Sequence, residues 1–348
     1  MDESAEEGRN RSLLASLAFS TRRLSEEARG VLPYLAWFEG GVLENHLRNF
    51  TRIDTGVWER IRVELVATAL IRLEEVGFNT PFLRFHPTLP FAARPFREPA
   101  NEVGDLEAVE TRFIDVYVSV GQEVDRSLFG SQPAFGMAVL AIEEPNFRSA
   151  LQRAFRRGAL QVGAGLSLLL TEYLQMTGRV RERDDFVAWV RLQLPVDAGL
   201  DEATCEVIQR YSLSLLSQGR PDEAIATVQE LIARLEAEGF FSGEDPTLQT
   251  AKSYRELGAL YVQTRRLDHA VEASKRAIGL LEGLHDDVAN KVLHAILNDL
   301  ANSYLLLGRV DQALAAADRA LKIDRELSWS RASAVSLGTI ARFLGSAN

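Results

Sequence analysis

Three segments in the C-terminal half of the chain share one pattern: YSLSLLSQGRPDEAI (211–225), LGALYVQTRRLDHAV (257–271) and LANSYLLLGRVDQAL (300–314). Each copy has a helical stretch, a short loop, and then an alanine placed for a contact between two helices. These alanines are Ala224, Ala270 and Ala313, at spacings of 46 and 43 residues. Self-similarity at a near-constant period is typical of stacked supersecondary units. The pattern therefore predicts antiparallel helix pairs that pack side by side.

This pattern resembles the tetratricopeptide repeat (TPR), whose ordinary length is about 34 residues. Longer helices and linkers, such as residues 237–249, account for the longer period here. Residues 201–348 are predicted to form a TPR array with three clear repeats and a partial terminal repeat that begins at LGTIARFLG (337–345). The resemblance implies an α-solenoid whose concave face, lined by the first helix of each pair, binds another polypeptide.

The first helices supply the candidate binding residues. With Leu257 and Gly258 at the signature positions, the inward positions of the middle repeat are Lys252, Arg255, Ala259 and Gln263. The corresponding positions of the neighbouring repeats are Glu206, Gln209, Leu213, Ala295, Asn298, Asn302 and Leu306. An asparagine can donate to and accept from a peptide backbone, and Lys252 and Arg255 can hold a carboxylate.

We predict from these positions that a protein or peptide ligand is bound in a groove lined by Gln209, Lys252, Arg255, Gln263, Asn298 and Asn302. The alternative is that these residues are ordinary solvated positions of a helix surface.

Residues 20–90 are predicted to form a winged-helix domain, with three helices followed by a β-hairpin. Ser25 and two following acids suit a helix start, and Gly40–Gly41 separate the first helix from the second. The third helix is TGVWERIRVELVATAL (55–70), and the hairpin is expected over 69–89 with its turn at VGFNTP. A winged helix can act as a DNA reader or as a packing module between domains.

The remaining segments are predicted from composition and periodicity. Residues 1–19 are predicted to be a flexible leader and 91–102 a proline-rich linker. Residues 103–200 are expected to form degenerate TPR-like hairpins, with helices over 103–128, 145–160, 162–177 and 182–194. The adjacent acids Glu143 and Glu144 are expected on solvated faces or caps, because neighbouring residues point apart on a helix.

The order of these segments resembles the C-terminal part of bacterial STAND-type signalling ATPases, in which a winged helix is followed by a TPR sensor. The stretches that carry this resemblance are Trp58–Ile71, Pro81–Leu89 and Glu143–Leu151. The sequence has no G-x-x-x-x-G-K-[ST] phosphate-binding loop. The resemblance implies a sensing role in bacterial signalling or defence, for a fragment, a split protein or a relative without the ATPase. A separate ATPase or signalling polypeptide would be its second partner.

Several chemical functions have no supporting motif. No G-x-S-x-G nucleophile turn occurs, and Gly163-Ala164-Gly165 lacks the preceding strand of a phosphate loop, so it is expected at a helix contact. The five histidines and the single Cys205 form no ligand spacing for a metal. We therefore expect a non-enzymatic protein without a cofactor.

Charge and hydropathy limit the partners and the compartment. A net charge of −10 and glutamates within the third helix disfavour DNA, although a DNA-binding transcription regulator with the repeats as effector sensor is the alternative function. The most apolar stretch, LQVGAGLSLLLTEYL, is too short and too interrupted to span a membrane, and the sequence shows no signal-peptide pattern. These features predict a cytoplasmic protein.

Overall fold

The computed structural model describes residues 21–87, 89, 106–195, 199–237, 241–243, 246–284 and 286–326. The chain divides into two compact units, one ending at Thr177 and the other beginning at Gly178. The described residues are mainly helical, which confirms that part of the predicted fold class. The predicted leader (1–19), linker (91–102) and partial terminal repeat (from 337) lie outside the described residues.

Helices and short strands alternate at the start of the first unit. They are α1 (Glu26–Leu35), β1 (Gly41–Leu43), α2 (Glu44–Thr51), α3 (Thr55–Ala67), β2 (Ile71–Glu74) and β3 (Phe82–Phe85). Side chains of Ser25 and Asp54 cap α1 and α3 by accepting from backbone N–H groups of the first turn. The three helices and the β2–β3 hairpin are where the sequence predicts them.

The three strands form one antiparallel sheet in the order β1-β3-β2. Gly41 lies opposite Arg84, and Ile71 lies opposite Phe85. The strand β1 was not predicted, since three residues are too few to show an alternating pattern. Gly41 is required here, because a Cβ atom at this position would lie 2.5 Å from the carbonyl oxygen of Leu83.

Three long helices complete the first unit: α4 (Leu106–Leu128), α5 (Pro133–Arg156) and α6 (Leu160–Met176). The predicted start of a helix at residue 145 is wrong. The helix begins at Pro133, which occupies the first turn where a proline is tolerated, and Pro145 lies in its interior. Gly163 lies inside α6 against the ring of Phe155, so it is a helix contact as predicted.

An aromatic cluster joins the N-terminal elements to α4. The ring of Phe38 packs edge-on against Phe50 of α2 and Phe113 of α4, with centroids 5.4 and 5.3 Å apart. Phe113 also contacts Tyr117, at 5.0 Å. All four side chains are buried. Phe38 also packs edge-on against Phe85 of β3, with centroids 6.4 Å apart, so the segment after α1 shares one hydrophobic core with α2, α4 and the sheet.

A buried carboxylate, Glu143 of α5, reinforces this contact. Its oxygens accept from the backbone N–H of Leu43 at 2.6 Å, from the hydroxyl of Tyr117 at 2.8 Å and from Asn146 Nδ2 at 2.7 Å, and His46 Nδ1 lies 3.1 Å away. Glu143 is fully buried, so its predicted place on a solvated face or cap is wrong. Burial raises the pKa of Tyr117 well above its usual value, and the nearby carboxylate of Glu143 raises it further.

The second unit consists of successive antiparallel helices. They are α7 (Val180–Gln193), α8 (Glu202–Ser217), α9 (Pro221–Glu236), α10 (Pro246–Gln263), α11 (Leu267–Leu281), α12 (Asp287–Leu306) and α13 (Val310–Glu326). Ala224, Ala270 and Ala313, the three aligned alanines, are all fully buried, as the pattern predicts. Cys205 is also fully buried.

One turn geometry joins the helices of each pair. The residue five positions before each aligned alanine has a positive φ: Gly219 (75°), Arg265 (61°) and Gly308 (73°). Glycine takes this left-handed conformation without a steric cost, whereas Arg265 in the middle repeat does not. Exposed ion pairs also link successive turns, from Arg266 to Asp222 and from Arg309 to Asp268. The repeated geometry accounts for the constant five-residue distance between this turn residue and the aligned alanine.

Candidate binding face of the first helices

The first helices of the three pairs, α8, α10 and α12, lie side by side. Gln209 Nε2 of α8 donates to Ser253 Oγ of α10 at 3.1 Å. Arg255 Nε of α10 donates to Asp299 Oδ2 of α12 at 2.7 Å. The face that contains the predicted inward positions is therefore continuous across the three helices.

We call this surface the first-helix face. Its members are the polar or partly exposed residues that recur at spacings of three and four along each helix: Glu206, Gln209, Arg210, Leu213, Lys252, Arg255, Glu256, Ala259, Gln263, Ala295, Asn298, Asp299, Asn302 and Leu306.

The six predicted site residues all lie on this face but differ in exposure and in the bonds that they already form. Gln263 and Asn302 are exposed. Lys252 is half-buried and forms no ion pair with the described residues. Gln209 uses its amide to hold α10, so it contributes to the packing of the array as well as to its surface. These positions were predicted from spacing alone, and their role in binding stays a prediction.

Arg255 and Asn298 have partners inside the chain. The guanidinium of Arg255 already holds a carboxylate, that of Asp299, with both side chains about half exposed. The Nδ2 group of Asn298 donates to the backbone oxygen of His294 at 3.1 Å and lies 3.0 Å from His294 Nε2. Spacing did not reveal Asp299, although it occupies the position of α12 that corresponds to Glu256 of α10.

Two acceptors on this face lack hydrogen bonds within the described part of the chain. They are Glu256 Oε1 and Asn298 Oδ1, and both atoms are covered by neighbouring groups. Burial raises the pKa of Glu256, and the nearby Arg255 and Arg210 offset this only in part. A covered acceptor without a donor costs free energy that a new donor recovers. Glu256 was missed from the sequence because a glutamate on a helix surface is ordinarily solvated.

Charges alternate across the face. Arg210 of α8 pairs with Glu206 at 3.2 Å and lies near Glu256 of α10, and Arg255 pairs with Asp299 of α12. These contacts are partly exposed, so each contributes little to stability. Their effect is to fix the orientation of long side chains beside the two acceptors.

Over the described ranges, no group of three or more His, Cys, Asp and Glu side chains is arranged to hold a metal ion. Burial raises the pKa of the Cys205 thiol to about 12, which makes it a poor nucleophile. None of the described helices combines the length and the apolar character needed to cross a membrane.

A family model for the tetratricopeptide repeat matches residues 294–327, which include most of α12 and α13. The chain contains a tetratricopeptide repeat. This TPR coincides with the third copy of the pattern, and it supports a role as a protein-interaction scaffold. No catalytic family is indicated, and no curated protein sequence matches the chain.

Several solved structures match parts of this chain at low sequence identity, each with a TM-score below 0.5. BtubC (BKLC) from P. vanneervenii is 17% identical over 64% of this chain and 93% of its own, with a TM-score of 0.47. The STAND protein with a TPR sensor, PH0952 from Pyrococcus horikoshii, is 11% identical over 94% of this chain, with a TM-score of 0.45. The match covers 48% of PH0952, so the chain spans about half of its length. YrrB, described as a TPR protein with an unusual peptide-binding site, is 11% identical over 68% of this chain and 96% of its own (TM-score 0.39).

Proposed function

We propose that this protein is a non-enzymatic scaffold or sensor that binds an extended peptide or protein segment on the first-helix face. Support comes from the TPR at 294–327 and from the continuous polar face of α8, α10 and α12. Apolar anchors of the ligand would give affinity, and polar groups of the face would set its register.

The observation that carries the proposal is the pair of covered acceptors, Glu256 Oε1 and Asn298 Oδ1. They lie on neighbouring first helices, α10 and α12, and the Arg255–Asp299 pair links the two helices beside them. An extended polypeptide presents backbone N–H donors at regular intervals, and its basic side chains present more. After a small rotation of either side chain, each acceptor satisfied would recover about 1–3 kcal/mol, the usual cost of a buried group without a partner.

We propose that residues 20–90 form a winged helix that packs against α4 and α5 and does not read DNA. The cations of the candidate reader helix are paired, Arg60 with Glu27 and Arg62 with Glu44. On the hairpin, Glu74 binds both Arg72 and Arg84. Arginines that are already paired with carboxylates would displace few counterions from a DNA phosphate backbone, so they would add little affinity for DNA. The alternative, a transcription regulator that uses this domain on DNA, gains no support from these pairs.

A role in bacterial signalling or defence, with a separate ATPase or signalling polypeptide as partner, belongs to the same proposal. It rests on the STAND-like motifs at Trp58–Ile71, Pro81–Leu89 and Glu143–Leu151. Two of those motifs share surroundings: Trp58 Nε1 donates to Glu44, and Glu143 accepts from Leu43, the residue before Glu44.

The test is a selection of random linear peptides displayed against the full-length protein, followed by fluorescence anisotropy with the enriched sequences. The variant Lys252→Glu/Arg255→Glu/Asn302→Ala changes the first-helix face and should bind at least about tenfold more weakly. The matched control is Lys275→Glu/Arg319→Glu, which reverses two exposed cations on α11 and α13. Peptides that bind wild type and both variants equally, or a library that yields no binder, would refute the proposed face.

A further inference from the structure

A concave site lies between α9 and α11, on the side of α10 opposite the first-helix face. It encloses about 380 Å³. Its floor is apolar and consists of Ile232 of α9, Leu257 of α10 and Ala273 of α11, all buried. At 100° per residue, Leu257 faces away from Lys252 and Arg255, so this site is separate from the first-helix face. We call it the α9–α11 trough.

A tyrosine closes each end of the trough, two helical turns apart along α10. At one end the hydroxyl of Tyr254 donates to Glu236 Oε1 at 2.9 Å, and Arg276 Nη1 lies 3.3 Å from the same hydroxyl oxygen. At the other end Gln229 Nε2 donates to the hydroxyl of Tyr261 at 3.1 Å. These bonds hold the two rings in place on either side of the apolar floor.

Charge on the rims favours a cationic ligand. Glu236 stands on the α9 rim, and Glu272 and Arg276 stand on the α11 rim, all exposed. Among these three groups, two carboxylates against one guanidinium leave one net negative charge; the imidazole of His269, which packs on Tyr261 with ring centroids 5.3 Å apart, also lines the trough. The chain's own Arg276 already shows what this end accepts: its guanidinium lies 3.5 Å from Glu272 and 5.9 Å from the centre of the Tyr254 ring.

We propose that the α9–α11 trough binds a lysine or arginine side chain of a partner polypeptide. The methylene stem lies on Ile232, Leu257 and Ala273, and the charged head reaches Glu236 and Glu272. Long basic side chains bury such stems on apolar surface while their heads stay hydrated. Tyrosine faces add a cation–π attraction at the ends of the trough. The proposed ligand side chain is positively charged, so it differs from an apolar anchor and from an acidic side chain.

The experiment is a titration of the full-length protein, methyl-labelled at isoleucine, leucine and alanine, followed by methyl NMR. The probe is the peptide Gly-Gly-Lys-Gly-Gly blocked at both ends. Two matched peptides carry norleucine or glutamate in place of the lysine. The reporters are the methyl groups of Ile232, Leu257 and Ala273, and Ile296 of α12 is the reference outside the trough.

The lysine peptide should shift the three trough methyls and leave Ile296 unchanged. The norleucine peptide should bind about fivefold more weakly, since two exposed charge pairs contribute about 1 kcal/mol. The variant Glu236→Gln/Glu272→Gln should bind the lysine peptide more weakly by the same factor. Circular dichroism confirms that this surface variant folds. Three results would each overturn the proposal: equal binding of the norleucine peptide, tighter binding of the glutamate peptide, or no shift in the trough at the highest soluble peptide concentration.

Discussion

Replacing Glu143 by alanine should strongly destabilise the first unit. The change removes a buried carboxylate that accepts from the N–H of Leu43, the hydroxyl of Tyr117 and the amide of Asn146. These donors then remain in a core that water does not reach, and each unsatisfied donor costs about 1–3 kcal/mol. Because the surroundings relax in part, the total loss is expected to be about 3–5 kcal/mol, as for the removal of one member of a buried ion pair.

The adjacent Glu144 provides the matched control. It is partly exposed and pairs with Arg148 one turn along the same helix, at 2.7 Å. Such a pair is worth about 0.3–0.5 kcal/mol, so Glu144→Ala should change stability by less than about 1 kcal/mol.

Urea unfolding followed by tryptophan fluorescence measures both variants, since Trp37 and Trp58 are buried in the first unit. The midpoint for Glu143→Ala should fall far below those of wild type and Glu144→Ala. Equal midpoints for the two alanine variants would refute the role given to the buried carboxylate.

Three further predictions concern the second unit. Arg265→Gly should raise the free energy of unfolding by roughly 0.5–1 kcal/mol, because glycine adopts the left-handed conformation of this position without strain. Gly308→Ala should lower the free energy of unfolding for the opposite reason, and thermal denaturation measures both variants. Cys205, fully buried and with a pKa of about 12, should react with a thiol reagent only after denaturant is added; a rapid reaction of the native protein would contradict this. Burial raises the folded-state pKa of Glu256, so its stabilising contribution is present at low pH and lost as pH rises through that pKa. Glu256→Gln should therefore have a higher Tm than wild type near neutral pH and an equal Tm below about pH 4. If the Tm difference between the variant and wild type is the same at the two pH values, the raised pKa of Glu256 is refuted.

The repeated helix pairs could be predicted because their signal is local. Ala224, Ala270 and Ala313 recur with the same loop before them, and only a small residue fits where two helices meet. The hairpin of β2 and β3 was likewise visible, since its two strands flank a turn with glycine and asparagine.

The parts that could not be predicted depend on contacts distant in sequence. The strand β1 exists because β3 pairs with it, and its three residues carry no periodicity of their own. Glu143 is buried because Leu43, His46 and Tyr117 supply partners from three other segments. Predicting the pair of Arg255 with Asp299 also requires the register of α10 against α12. The spacing of the sequence pattern predicts that register only to within one residue.

Site-specific photo-crosslinking tests the central proposal most directly. A photoreactive amino acid replaces Ala259, between Arg255 and Gln263 on the first-helix face, and in a parallel sample it replaces the exposed Glu230 of α9. A peptide selected for binding should be captured by the protein substituted at residue 259 and not by the one substituted at residue 230. Capture at residue 230 alone, or equally at both positions, would contradict binding on the first-helix face.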